Sequence, residues 1–256
     1  MTSSHAAPAG GPPVLVRYGN FLFRYRDAVF PAVLLALLVV FRAQWPAADE
    51  RRDDLLDALG FAVALAGQAL RVSVVGYAYI IRGGKNKQVY AEDLVTRGWF
   101  AQCRNPLYVG NILILFGLLI IWNSPGAYLV GVPFFLLSYT AIVAAEEAFL
   151  SRKFGAEYDA YRARVPRWRV RVRGLNEALD GFSFNWARVI LKEYGSAAYW
   201  VAGAFVMQLL DSLRYQPWNA RPVYHTALVV GVFVVSALWR YARFLKKSKR
   251  LTEQPA

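Results

Sequence analysis

The sequence predicts an all-α fold, a polytopic membrane helical bundle with about six transmembrane helices and further interfacial amphipathic helices. Three observations carry that expectation. The chain is 57% hydrophobic with a mean hydropathy of +0.28, against about 45–50% apolar residues in an ordinary soluble domain. Six apolar stretches are long enough to cross, or nearly cross, a hydrocarbon core that needs about 20 helical residues. The basic residues gather in alternate connections between those stretches, the asymmetry that orients membrane helices. No run of about ten residues alternates apolar with polar and then repeats, so a β-barrel is not expected.

Taken in order, residues 1–16 are rich in Ala, Gly, Pro and Ser. They lack the basic start and apolar centre of a signal peptide and read as a disordered tail. Residues 17–57 hold a first span, 28–41, and its loop. A core over 58–170 contains the next three spans, 58–81, 107–122 and 127–145. From Phe149 onward, Leu150, Phe154, Tyr158, Tyr161 and Val165 recur at helical spacing, with Arg152, Lys153, Glu157, Asp159, Arg162 and Arg164 on the other side. That pattern predicts an amphipathic helix on the membrane face, ended by Pro166. It follows Glu146 and Glu147 directly and suits either a lid or an anchor.

An interfacial segment is expected over 171–196. Just before and within it, Arg167, Arg169, Arg171 and Arg173 alternate with Trp168, Val170 and Val172, as an extended surface segment would to present arginines to phosphates. Residues 175–194, with Phe182, Phe184, Trp186 and Ile190, read as a surface helix or a re-entrant piece. Residues 197–256 add two spans, 197–210 and 223–239, and a basic tail. The first and fifth spans are short and are expected to thin the bilayer or to end in snorkelling arginines.

With a cytoplasmic amino terminus, most of the 30 basic residues fall inside. They include Arg24 and Arg26, then Arg82, Lys85, Lys87, Arg97 and Arg104, then the run from Arg152 to Lys192 and the tail from Arg240 to Arg250. Arg42, Arg51, Arg52, Arg214 and Arg221 fall outside. The expectation is an integral membrane protein of a bacterial inner membrane with both termini cytoplasmic. The net charge of +13 reads as attraction to anionic phospholipid headgroups, about 1 kcal/mol per basic residue near the surface. It is dispersed among membrane loops, which argues against nucleic-acid binding. Oligomeric state is not legible in the sequence.

Two motifs stand at the inner ends of neighbouring spans. Arg104-Asn105-Pro106-Leu107-Tyr108-Val109-Gly110 opens the third span, and Glu146-Glu147 closes the fourth. Charge near hydrocarbon is costly unless it has a partner or a task, so the pair predicts a polar site between two helices. Pro106 suits a first helical turn, and Gly110 removes a side chain one turn later, where a ligand would approach the backbone. Glu146 and Glu147 lie about 100° apart on a helix, so one is expected to face a ligand and the other a basic or backbone partner. Arg71 lies inside the second span with Gln68 on the same face. It is expected to face the bundle interior and pair with Glu146 or Glu147.

Leu94-Val95-Thr96-Arg97-Gly98-Trp99-Phe100, the 104–110 stretch, Glu146-Glu147, Phe154-Gly155-Ala156-Glu157-Tyr158-Asp159-Ala160-Tyr161 and Val165-Pro166 together resemble one group of integral membrane enzymes. It is the isoprenylcysteine carboxyl methyltransferase and phospholipid methyltransferase family, and the resemblance covers about residues 58–170. It implies a methyltransferase that uses S-adenosylmethionine, bound at the cytoplasmic face, to modify a lipid-like or prenylated acceptor. Asn105 stands where that family usually carries histidine, and it offers an amide in place of an imidazole.

For such a cofactor, Arg104 suits the carboxylate as a two-donor clamp. Glu146 or Glu147 suits the ammonium, and Tyr108 with Tyr158 or Tyr161 suits a wall bearing hydroxyls. The implied catalytic set is Glu146, Glu147 and Arg104. The implied cofactor contacts are Arg104, Asn105, Pro106, Leu107, Tyr108, Gly110, Glu146, Glu147, Tyr158 and Tyr161. The acceptor group, carboxyl or amine, stays open. Two other readings stand beside this one: a nicotinamide-dependent enzyme similar to the sterol reductases, and a membrane transporter or scaffold. Gly83-Gly84-Lys85 lacks the spacing of a phosphate loop and reads as a flexible turn. His5, His225 and the single cysteine, Cys103, do not form a metal-ligand pattern. Cys103 reads as packed, or as reactive if Arg104 stabilises its thiolate.

Overall fold

The computed structural model describes residues 12–43, 50–77 and 89–251. His5, most of the expected tail, the end of the second expected span, the 83–85 turn and the basic residues Arg82, Lys85 and Lys87 lie outside them. Among the described residues every regular element is helical: α1 Val14–Val40, α2 Glu50–Tyr77, α3 Trp99–Gln102, α4 Pro106–Trp122, α5 Pro125–Phe154, α6 Ala156–Arg164, α7 Leu175–Leu179, α8 Trp186–Tyr215 and α9 Pro222–Lys247. Over the described residues each of the six expected spans falls in one of the long helices to within a residue, and the all-α membrane bundle is what the chain forms. Three of these helices, α2, α5 and α9, are long and apolar enough to cross a membrane, and α4 is a shorter apolar helix. α1 and α8 are longer than their apolar stretches because each begins with a polar, charged segment, Arg17 to Asp27 in one and Arg188 to Glu193 in the other. The chain is an integral membrane protein.

Two helix pairs make the body, α2 with α4 and α1 with α5, while α8 packs on α2 and α4 and α9 packs on α8. Lipid supplies no hydrophobic drive between helices, so close backbone approach at small residues does the work. A Cβ on Gly67 would lie 2.5 Å from the Gly110 carbonyl, and one on Gly60 would lie 2.6 Å from that of Gly117. α2 and α4 therefore touch backbone to backbone. Prolines at the starts of α4, α5 and α9 occupy the position where a missing N–H is harmless. α4 ends on Asn123 in the left-handed region, φ 45°, and only Ser124 separates it from α5. That tight reversal brings the start of α4 level with the end of α5.

Two expected elements differ from the observed ones. The amphipathic helix is interrupted at Gly155, φ 51°, a backbone that glycine adopts freely. α5 therefore runs on to Phe154, and α6 departs in a new direction. The apolar side of α6 packs inward, with Tyr158, Tyr161 and Val165 against Leu94, Leu150 and Phe154. The expected surface helix over 175–194 is also two pieces. Only Leu175–Leu179 is a separate turn, and from Trp186, capped where the Asn185 side chain accepts from the Arg188 N–H at 2.9 Å, one helix continues through the fifth span. Nothing between Lys192 and Ala197 breaks it except Gly195, which a helix tolerates at a cost of about 1 kcal/mol. The alternating segment after Pro166 forms neither helix nor strand and bends at Arg167 and Trp168. It runs beside the start of α4, where the Arg104 N–H donates to the Pro166 carbonyl at 2.9 Å.

Candidate functional site

A cavity of about 690 Å³ lies between the two helix pairs at the end where α4 begins and α5 finishes. α1 contributes Phe23, Arg26, Phe30 and Pro31. α2 contributes Arg71, the start of α4 gives Arg104 to Tyr108 and Asn111, and α5 gives Tyr139, Glu146, Glu147 and Leu150. Residues 89–95 and α6, through Tyr158 and Tyr161, close it from the loop side, and Ser196 and Tyr199 of α8 form its far wall.

Three charged groupings line this space. In the first, Arg104 Nη1 lies 3.0 Å from Glu147 Oε1, and Arg167 Nε donates to the same oxygen at 3.0 Å. Arg167 Nη2 also donates to Glu147 Oε2. Two guanidinium groups share one carboxylate, so the grouping carries one net positive charge, and the Glu147 carboxylate holds Arg167 above its ordinary pKa. Arg104 Nε is buried without a hydrogen-bond partner, an N–H that a bound acceptor oxygen would satisfy. Beside it the Tyr158 hydroxyl is pushed up to about 12, chiefly by burial and then by Glu147. Tyr161 donates to the Phe100 carbonyl at 2.7 Å, and burial pushes its hydroxyl up as well.

Arg167 is delivered by a local clasp. The Asn105 amide donates to the Arg167 carbonyl at 3.1 Å, and the fully buried Cys103 thiol points at the same carbonyl, 3.5 Å away. Burial pushes the Cys103 thiol up, and neighbouring Arg104 offsets this only in part. The cysteine is packed, and the reactive reading does not hold.

The second grouping joins α1, α4 and α5. The Arg26 Nη1 donates to the Tyr108 hydroxyl at 3.0 Å, and that hydroxyl donates to Glu146 Oε1 at 2.5 Å. Glu146 and Glu147 thus take different partners, as successive helical residues must.

The third grouping corrects the expectation for Arg71. It does face the interior, but its partner is Glu193 of α8 and neither glutamate of α5. Arg71 Nε donates to Glu193 Oε2 at 2.9 Å and Nη2 to Oε1 at 3.0 Å. Gln68 Nε2 donates to Glu193 at 3.1 Å, and Gln68 Oε1 accepts from Trp200 Nε1 at 2.9 Å. Nη1 of Arg71 also donates to Asn111. Gly110 serves this arrangement: a Cβ there would sit 2.6 Å from Arg71 Cγ, so the glycine lets the arginine stem pass between α2 and α4. It does not line the cavity.

Sequence reading missed Arg26, Asn111, Tyr139, Glu193, Ser196 and Tyr199 as site residues. Glu193 had a usable signal, since a carboxylate inside what is one continuous helix needs a buried partner. The others depend on which helices are neighbours.

At the opposite end of the bundle, Asp53 and Asp57 of α2, Asp211 and Ser212 of α8, and His225 of α9 are buried together. Ser212 Oγ lies 2.9 Å from His225 Nε2. Among the described residues no group of three or more His, Cys, Asp or Glu side chains is arranged to hold a metal ion.

Two curated proteins resemble this chain. A cobalt-zinc-cadmium resistance protein of Cupriavidus metallidurans is 32% identical over 170 residues, which are 65% of this chain and 73% of that one. A nickel-cobalt-cadmium resistance protein of Alcaligenes xylosoxydans xylosoxydans is 30% identical over 151 residues, 57% of this chain and 65% of that one. No solved structure matches. Residues 57–157, from within α2 to the first turn of α6 and including both motifs, match the phospholipid methyltransferase family, and the chain belongs to that family.

Proposed function

We propose that this protein is an S-adenosylmethionine-dependent methyltransferase acting on a lipid-like or prenylated acceptor that reaches the site from the bilayer, with the site at the cytoplasmic face. The observation that carries the reading is the Arg104–Glu147–Arg167 grouping at the head of the cavity. Its one net positive charge and the unpartnered Arg104 Nε suit the carboxylate of the cofactor's amino-acid end. Glu147 is in reach of the ammonium. Tyr158, Tyr161 and Leu150 offer an aromatic, half-apolar wall against which an adenine can pack. Bound there, the sulfonium supplies a methyl group already activated for displacement.

The chain's own task is positional. α6 and residues 89–95 exclude water from above, and the helix pairs hold the acceptor atom in line. For an amine acceptor, Glu146 can take the released proton at Oε2, opposite its bond to Tyr108. For a carboxylate acceptor no base is needed.

Calorimetric titration of the detergent-purified protein with S-adenosylmethionine and with S-adenosylhomocysteine tests the reading, followed by lipid mass spectrometry of cells with and without the gene. Both compounds are expected to bind, and a methylated lipid is expected to disappear with the gene. Folded protein that binds neither overturns it.

A further inference from the structure

The cavity's arginines are not equivalent. Arg71 is neutralised by two direct bonds to Glu193, and Arg104 and Arg167 share direct contact with Glu147. Arg26 lies over the Phe23 ring at 4.6 Å and gives one bond to Tyr108. A guanidinium can only donate, so the Tyr108 oxygen accepts from Arg26 and its single proton goes to Glu146. The Glu146 carboxylate is therefore held one hydroxyl away, and the carboxylate nearer to Arg26 is that of Asp27, also on the cavity lining. Asp27, at 4.0 Å, is 99% exposed, and an ion pair in that setting is screened and weak. Arg26 thus keeps its charge on the cavity lining, with one of its N–H donors given to Tyr108.

Its surroundings describe a ligand. Phe30 and Pro31, on the same helix one to two turns away, continue the apolar wall, and Pro31 is exposed on the outside of the bundle. A molecule with an anionic group at Arg26 would lie with an apolar chain along Phe30 and Pro31. We infer that Arg26, from a helix outside the segment matched to the family, is a binding site for the anionic oxygens, phosphate or carboxylate, of an amphiphile entering the cavity beside α1. The identification of that amphiphile as the methyl acceptor rests on the proposed function. The anion site itself does not. With Glu146 on the other side of Tyr108, the site has a fixed polarity, an anion holder on α1 and a cation holder on α5.

The test is calorimetric binding of dodecyl phosphate, dodecanoate and dodecyltrimethylammonium to the full-length protein in a neutral maltoside detergent. At least one anion is expected to bind saturably, and the stronger of the two identifies the headgroup. Arg26→Gln is expected to weaken that binding about ten- to hundredfold, whereas Arg26→Lys retains part of it. Glu146→Gln is expected to tighten it, because a neighbouring negative charge is removed, a shift that a purely structural role for Arg26 would not produce.

Equal anion binding by wild type and Arg26→Gln, no saturable anion binding by the wild type, or equal binding of the ammonium amphiphile overturns the inference. If Arg26→Gln does not fold, Glu146→Gln decides: tighter anion binding supports the site, and unchanged binding overturns it. S-adenosylmethionine titrated into the same samples separates the two ideas. A wild type that binds the anion through Arg26 but not the cofactor keeps this site and loses the methyltransferase reading.

Discussion

The two ends of the bundle both bury charge, but in different ways. Where α4 begins, arginines and glutamates surround an open cavity, and two of the three groupings leave something unspent: a net charge at Arg104, Glu147 and Arg167, and a charge on Arg26 that reaches Glu146 only through Tyr108. At the other end Asp53, Asp57 and Asp211 lie together, Asp53 bonded to Asp211 and Asn123 and Asp57 to Gln208, while Ser212 and His225 join α8 to α9. His225 is fully buried there and its ring also faces the Trp218 carbonyl at 3.4 Å. Buried charge alone therefore does not mark a binding site. What distinguishes the first end is unlike charges facing a space that a ligand can enter, with two arginines to one carboxylate in one grouping and a hydroxyl between Arg26 and Glu146 in another. The second end is a closed clasp that ties α2, α8 and α9.

The comparison is sharpest at Glu193, which lies behind the cavity-lining Arg71 and acts as a strut. Glu193→Ala leaves Arg71 buried without its carboxylate and is expected to lower stability by about 3–5 kcal/mol, read as a fall in thermal unfolding temperature. Replacing Arg71 and Glu193 together by apolar residues of similar volume should cost less than the sum of the single changes. Additive losses would mean that the two do not interact.

At the cavity head the effect should appear in binding. Arg104→Ala is expected to weaken S-adenosylmethionine binding by about 1.5–3 kcal/mol, with Arg104→Lys restoring only part, because an ammonium lacks the planar fork. Full affinity in the alanine variant would reduce Arg104 to a partner of Glu147.

The clasp should show the reverse pattern. His225→Ala removes a buried ring and leaves Ser212 without its bond, at an expected cost of about 1–3 kcal/mol in stability. Cofactor affinity, measured by the same calorimetry, should not change. A variant that kept its stability and lost affinity would break the distinction between the two ends.

The smallest effect concerns Cys103. Burial raises its thiol pKa, so at neutral pH the thiolate fraction is below that of a free cysteine. A maleimide should label the native protein far more slowly than the denatured chain, with the native rate rising as pH approaches the raised value. Labelling at equal rates would show that the clasp between 103–105 and Arg167 opens readily.

Helix positions were legible because hydropathy and length are local: the six apolar stretches found their helices, and Pro106 marked the start of α4. The meeting of the 104–110 stretch with Glu146 and Glu147 was also legible, since a connection as short as Asn123-Ser124 leaves α4 and α5 little choice but to lie antiparallel. The tertiary structure decided the rest. Arg71 was plainly an interior residue, yet whether it met Glu146, Glu147 or Glu193 depended on which helix lay beside α2 and on how that helix was rotated. Periodicity along one chain does not encode either. Gly155 had the same ambiguity, because a glycine in a helical pattern either continues the helix or turns it, and inward packing of Tyr158 and Tyr161 settled the turn. Arg26 was one arginine among many at a helix end until α1 packed on α5 and brought it to Tyr108. Residue type and spacing determine where a charge can lie along a helix, and only the packing of helices determines what it faces.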